Sequence, residues 1–571
     1  MKVKLPKDLS GTKFQEALAI EMNDFDIDLF LPALFYTILS QGRGKARRSN
    51  DPTNIKGYVD NLSTHPNLEG FDDPVGRKVL ERLVRTTLIT TGGVGRGNSG
   101  NKGKQITSIV PYTLLAHKAG FPLAGSRLRG ADTFIYHALR ENMNRADDRL
   151  QEAITTIFGR GVTIDPLPEL GGHYDGEENL DTLTRLSIAF LDGFQNTRTG
   201  LTRERGVTPA CPALANELAT DLLRFLFAYY RRMPTQAFTY HLLALINFEL
   251  FNYTLKLVYA INTLVQDPQS FPPAMHVSLA ASPPQLYLDF TNDAKSYSQE
   301  MAKACVRRDV EAYQQYLSSI VRLRLLDHYV EQLGRTTQRR ASINTVLDGA
   351  TSGPSYLQGL LLLQFEPAIA MQIQAQAMMD ETRIREANKL PREEGQLEED
   401  EEDFAWLDEI AGSAETDLER VVNLLVEGQR GNALNHFISW YYGVGGLKKP
   451  HGVLRGTTSS RHSWRYAPAN DLLAVLVQVA AARLTPPGQD LRPLRLQEFL
   501  AFLETHYGIL IDRPPDTFTG AEYTAAARDN LRAMLARLRQ MGIFSDLSDD
   551  FTVQRLHPPY TKTKIMRTET R

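Results

Sequence analysis

HLLALINFELFNYTLKLVYAIN, His241 to Asn262, decides the architecture of this chain. Its apolar residues cover most faces instead of one stripe, and a helix of that kind must be enclosed by neighbours. Glu249 and Lys256 interrupt the run, which therefore reads as a buried helix of a water-soluble fold and not as a membrane span. Suitable neighbours flank it. ALANELATDLLRFLFAYYRR, from Ala213, repeats apolar residues at three- and four-residue spacing. A long helix is expected from Ala294 to Leu333. Another follows Pro354 through LLLQFEPAIAMQIQAQAMMDETRIREAN, with a kink expected at Pro367. The fold class is mainly α and multidomain, with a central helical bundle or array.

At 571 residues the chain has room for two to four domains. Residues 1–165 read as a mixed N-terminal domain carrying a basic, glycine-rich loop, and residues 166–390 as the helical domain. Residues 391–418 read as an acidic linker: from Arg392 to Glu419 thirteen acids face one arginine, too charged to bury, so disorder is expected. FAWLDEI within it is either a frayed helical turn or a docking element. Residues 419–571 hold three helical patterns, NDLLAVLVQVAAARL, LRLQEFLAFLETHYG and GAEYTAAARDNLRAMLARLRQMG. Asn470 or Asp471 is expected to cap the first, and Gly542 to stop the third. GIFSDLSDDFTVQRL then reads as strand, polar turn, strand. Three helices and a hairpin give a winged-helix-like C-terminal domain.

Two cysteines, Cys211 and Cys305, exclude a disulfide scaffold and an all-cysteine zinc site. The N-terminus lacks the apolar core of a secretory leader, so a cytoplasmic location is expected. The net charge of −3 hides segregation. Between Arg77 and Gly130 ten basic residues meet Glu81 alone.

TGGVGRGNSGNKGKQ, Thr91 to Gln105, lies in that basic region. A Walker loop requires Gly-Lys-Ser/Thr, but Asn101 follows Gly100 and Gln105 follows Gly103-Lys104, so the metal-binding hydroxyl is missing in both registers. Gly95-Arg96-Gly97 with Gly100 satisfies the dinucleotide glycine pattern, without a βαβ unit around it. A phosphate grip remains: backbone N–H groups that can approach an anion, with charge from Arg96, Lys102 and Lys104. Lys118, Arg127 and Arg129 follow, interleaved with aromatic residues, as in surfaces that track a nucleic-acid backbone. The competing reading is a surface loop of solvated charges.

SWYYGVGGLKKPHGVLRGTTSSRHSWRYAPAN, from Ser439, is a second such stretch. Lys448, Lys449, Arg455, Arg461 and Arg465 meet no acid before Asp471, and Trp440, Tyr441, Tyr442, Trp464 and Tyr466 accompany them. Packing on the following helices is the reading preferred for Trp440. Asp546, Asp549 and Asp550 in the expected wing would repel DNA phosphates. No HExxH, GxSxG or CxxC pattern occurs, and no metal, cofactor or catalytic residue is expected.

GRGNSGNKGKQITSIVPYTLLAHKAGFPLAGSRLRGADTFIYHAL near the N-terminus resembles an accessory subunit of prokaryotic methylation-associated anti-phage defence systems. RLQEFLAFLETHYGILIDRPP and LRQMGIFSDLSDDFTVQRL near the C-terminus share the resemblance. It implies a cytoplasmic protein working beside a DNA methyltransferase and an ATPase or nuclease, and it transfers no catalytic residue. The expected function is a non-catalytic subunit that binds DNA or RNA through the two basic stretches, without membrane contact. The alternatives are a protein–protein adaptor and a cryptic nuclease or NTPase. The two basic stretches are expected to share one surface.

Overall fold

The computed structural model describes residues 3–11, 13–45, 59–60, 62–64, 69–91, 105–109, 113–119, 128–165, 172–174, 180, 184–185, 187–188, 191, 201–204, 206–269, 284–389, 405–412, 414–486, 488–545 and 554–561. Its principal helices are α1 (Phe30–Leu39), α2 (Ala131–Asn142), α3 (Pro212–Tyr229), α4 (Thr235–Gln266) and α5 (Tyr297–Leu333). After them come α6 (Pro367–Ala387), α7 (Ala405–Ala411), α8 (Asp417–Val444), α9 (Asn470–Leu484), α10 (Leu496–Phe502) and α11 (Ala521–Gln540). The strands used below are β1 (Leu286–Tyr287), β2 (Leu454–Thr457), β3 (Ser460–Tyr466), β4 (Leu494–Arg495), β5 (Ile509–Leu510), β6 (Phe544–Ser545) and β7 (Arg555–Leu556).

Every residue of α4 from Leu242 to Val258 is buried. Helices α3, α5, α8 and α9 enclose it, so the all-round apolar surface finds the cover it requires. Each fully buried leucine or phenylalanine there contributes about 1.5–3 kcal/mol. The polar residues of α4 set the register of its neighbours. Asn247 donates to the Val444 carbonyl at 2.6 Å, and Asn262 donates to Ala312 at 2.9 Å. Thr254 accepts from the indole of Trp440 at 3.1 Å. Trp440 is thus a core residue, packed on α4 and Phe25, which precede it, where the sequence predicts packing on the following helices. Lys256 donates to the His506 carbonyl at 2.7 Å, and Glu249 accepts from Tyr507 at 2.8 Å. Among the described residues no helix is long and apolar enough to cross a membrane.

Two local expectations change. Pro367 does not kink a helix; it opens α6, because Glu366 is extended and a proline at the first helical position loses no hydrogen bond. Neither Asn470 nor Asp471 caps α9: the helix starts at Asn470 behind Ala469, which offers no side-chain cap. Gly542 does end α11, with φ +70°, and Ile543 N–H returns to Leu538.

The N-terminal segment runs back over the C-terminal half. Arg383 of α6 grips the Asp8 carboxylate at 2.9 Å, and Gln429 of α8 donates to the Leu9 carbonyl at 3.1 Å. Of the acidic stretch, α7 takes Ala405 to Ile410 of FAWLDEI together with Ala411, and Phe404 lies outside the described residues. Leu407 and Ala411 are buried there, and Asp408 pairs with Arg385 and Arg420 of this same chain. At the C-terminus, α9, α10 and α11 stand beside a three-stranded antiparallel sheet in the order β4-β7-β6. The residues expected to form the wing turn lie outside the described residues. Strand β5 leaves this unit to pair in parallel with β1.

Candidate nucleic-acid interface

The basic stretch after α8 folds by close glycine contacts. Gly446 and Gly452 cross so tightly that a Cβ on Gly452 would lie 2.0 Å from the Gly446 carbonyl oxygen. Gly456 marks a bulge in the antiparallel hairpin β2–β3, where a Cβ would stand 2.7 Å from the Trp464 ring. The aromatic residues turn inward. Trp464 donates to the Thr457 carbonyl at 2.7 Å, and Tyr466 shares a 2.6 Å hydrogen bond with Tyr441 and donates to buried Asp309 at 2.5 Å. Trp440, Tyr441, Trp464 and Tyr466 are buried, and Tyr442 alone of the five is exposed.

The cations stay at the surface. Arg455 and Arg465 sit directly opposite each other in the hairpin register. Like charges in that position repel. Arg537, from the last turn of α11, faces them across a cleft of about 590 Å³, lined also by Asn292, Pro468 and Asp471. The Arg537 guanidinium lies over the Phe290 ring and donates to the Pro468 carbonyl at 2.9 Å. Burial pulls its pKa below the ordinary value, and the neighbouring Arg455 charge adds to the effect.

Arg465 has one counter-charge, Asp289, at 3.4 Å. That carboxylate is fully buried and already accepts from Thr291 at 2.7 Å and Ser298 at 2.9 Å. No carboxylate among the described residues pairs with Arg455. The N-terminus of α9, without a side-chain cap, opens on the same cleft. Its unpaired N–H groups carry a partial positive charge. Three guanidiniums and a helix N-terminus therefore converge on a cleft whose carboxylates, among the described residues, are Asp471 in its lining and Asp289 beside Arg465.

Above the cleft, exposed Arg461 and His462 occupy the β3 side of the hairpin. Lys448, exposed in a left-handed backbone conformation, reaches Thr458 at 3.4 Å. Lys449 pairs with Asp28 at 2.8 Å; burial would lower its pKa, and the Asp28 carboxylate outweighs that and raises it. Arg129 is engaged within the protein: it pairs with Asp24 and with Glu21 and donates to the Asp24 carbonyl at 3.2 Å. Lys118 belongs to the 3-10 turn Leu114–Ala119, but its side chain lies outside the described part. Arg96, Lys102, Lys104 and Arg127 lie outside the described residues.

The cleft thus unites Arg455 and Arg465 of the second basic stretch with Arg537 of α11, which is not among the site residues expected from the sequence. Among the described residues no group of His, Cys, Asp or Glu side chains is arranged to hold a metal ion. Residues 7–560 match the family model described as methylation-associated defense system protein MAD7. No curated protein and no solved structure matches the chain.

Proposed function

This chain belongs to the family of methylation-associated defense system protein MAD7, and we propose that it serves such a system as a non-catalytic nucleic-acid-binding subunit. The polymer is DNA, held by its phosphates at the Arg455–Arg465–Arg537 cleft and along the hairpin above it. One observation carries the proposal: two arginines face each other across a hairpin beside a third, at a helix N-terminus, so that three cations meet two carboxylates among the described residues, Asp289 beside Arg465 and Asp471 in the lining. Such an arrangement repels itself until an anion enters, and phosphate suits both guanidinium forks and helix N–H groups.

The inward packing of the aromatics favours backbone contact over base stacking, and hence duplex over single strands. The helix order and the β4-β7-β6 strand order suit a winged helix, with α9 as its first helix and Arg537 on its third. In this reading the chain works in the cytoplasm beside other subunits of the system, such as a DNA methyltransferase or an ATPase. Arg96, Lys102, Lys104, Lys118 and Arg127 extend the phosphate-binding surface, whereas Arg129 supports the fold.

Fluorescence anisotropy with labelled duplex and single-stranded DNA of mixed sequence tests the proposal. Duplex binding in low salt, with little sequence preference, is expected. No binding to either polymer at 50 mM salt and micromolar protein would overturn it.

A further inference from the structure

Helix α6 buries Ile369, Ile373, Ala377 and Ile384 against the molecule. Its other side is apolar and open. Met371 is 76% exposed, Met378 64% and Met379 61%, and Phe365 just before the helix is 55% exposed. No charged residue occurs between Glu366 and Asp380. Ala368, Met371, Ala375, Met378 and Thr382 alternate at three- and four-residue spacing, the seam of two packed helices. An exposed, methionine-rich stripe of this kind marks a contact surface.

The composition of the stripe identifies its occupant. It is nearly symmetric about Ala375: Met371 and Met379 stand four residues to either side, Ala368 and Thr382 seven, and Gln374 and Gln376 one. A two-fold axis at Ala375 would bring two copies together antiparallel, Met371 of each against Met379 of the other and Met378 against Gln372. The small Ala375 lets the helices approach closely at the crossing. The helix ends also complement each other: Glu366 stands at the N-terminal end of α6, and in this register the exposed Arg383 near the other end of the second copy would meet it.

We infer that α6 is a homodimer interface: a second copy of this chain packs on the Met371–Met378–Met379 face, antiparallel, about an axis through Ala375. This is the isologous contact of two-fold dimers, and it does not depend on the nucleic-acid proposal.

Sedimentation of the full chain between 0.1 and 50 µM tests it. The wild type should move to the dimer mass, and Met371→Glu with Met378→Glu should stay monomeric at every concentration while keeping the melting midpoint that the wild type shows at the lowest concentration, where it is dissociated. Both substituted residues are exposed, so the double variant should fold. A wild type that stays monomeric to 50 µM, or a dimer that the double variant leaves intact, overturns the inference. Orientation is tested by oxidative cross-linking. Ala375→Cys should cross-link between copies at least tenfold faster than Ala368→Cys, and the native Cys211 and Cys305 are buried and should not interfere. Faster linking through Ala368→Cys overturns the antiparallel arrangement.

Discussion

Arg455→Gln should make the protein more stable in low salt. The arginine stands opposite Arg465 and near Arg537, and no described carboxylate pairs with it. Two unit charges ~6 Å apart at a half-exposed surface, with an effective dielectric constant of ~40–80, repel by about 0.7–1.4 kcal/mol. Asp289 beside Arg465 and Asp471 in the cleft lining offset part of the arginine charge, and salt screens the remainder. A gain of about 0.5–1 kcal/mol therefore remains at 20 mM NaCl. It should vanish near 0.5 M, where the screening length falls to about 4 Å. The assay is thermal unfolding of wild type and variant at both salt concentrations, with and without inorganic phosphate. Phosphate should raise the wild-type midpoint more than the variant's, because anion binding to the native state stabilises by mass action. A variant that melts below the wild type in low salt, or a difference that ignores both salt and phosphate, would refute the repelling cleft.

Leu250→Ala, at the fully enclosed centre of α4, should cost about 3–5 kcal/mol, read from the denaturant midpoint. Glu249→Gln should gain on the wild type as pH rises. Burial, with Asp221 beside it, raises the Glu249 pKa well above the ordinary carboxylate value, so the folded state keeps a proton that the unfolded chain releases above pH ~4.3. Wild-type stability from this group is whole below that pH and declines above it, and melting midpoints from pH 5 to 8 should diverge accordingly. Gly452→Ala should destabilise by more than about 1 kcal/mol, since its Cβ meets the Gly446 carbonyl; an unchanged midpoint would show that the crossing yields. Replacing Arg96, Lys102 and Lys104 together by Gln should flatten the salt dependence of duplex binding by about 2.7 in log–log slope if each meets one phosphate.

Where one segment's own pattern decides its structure, the sequence was sufficient. The apolar run from His241 announced an enclosed helix, the periodicity after Ala294 announced α5, and Gly542 announced the end of α11. Contacts between distant segments left no local sign. Nothing near Asp8 indicates that Arg383 will hold it, or that Asp408 in an acidic stretch will meet Arg385 and Arg420. The cleft falls between these cases. Arg455 and Arg465 stood out as cations without acids, but their register needed the bulge at Gly456, and Arg537 needed α11 to be placed beside β1 and α5. Apart from Trp440, for which packing is the preferred reading, the aromatics of the same stretch accompany the cations without a local sign that they turn inward. Burial and hydrogen bonding decided the matter for Trp440, Tyr441, Trp464 and Tyr466: Trp440 and Tyr466 find Thr254 and Asp309 on helices far back in the chain, Tyr441 meets Tyr466, and Trp464 turns to Thr457 within the hairpin.

The salt dependence of duplex DNA binding by wild type and by Arg455→Gln with Arg461→Gln is the most direct measurement. Both positions lie at the surface and neither pairs with a described carboxylate, so the double variant should remain folded. Two lost phosphate contacts should flatten the plot of log affinity against log salt by about 1.8, weaken binding most at low salt, and leave sequence preference unchanged. A folded double variant with wild-type affinity and an unchanged slope would contradict the assignment of the cleft and its hairpin to DNA.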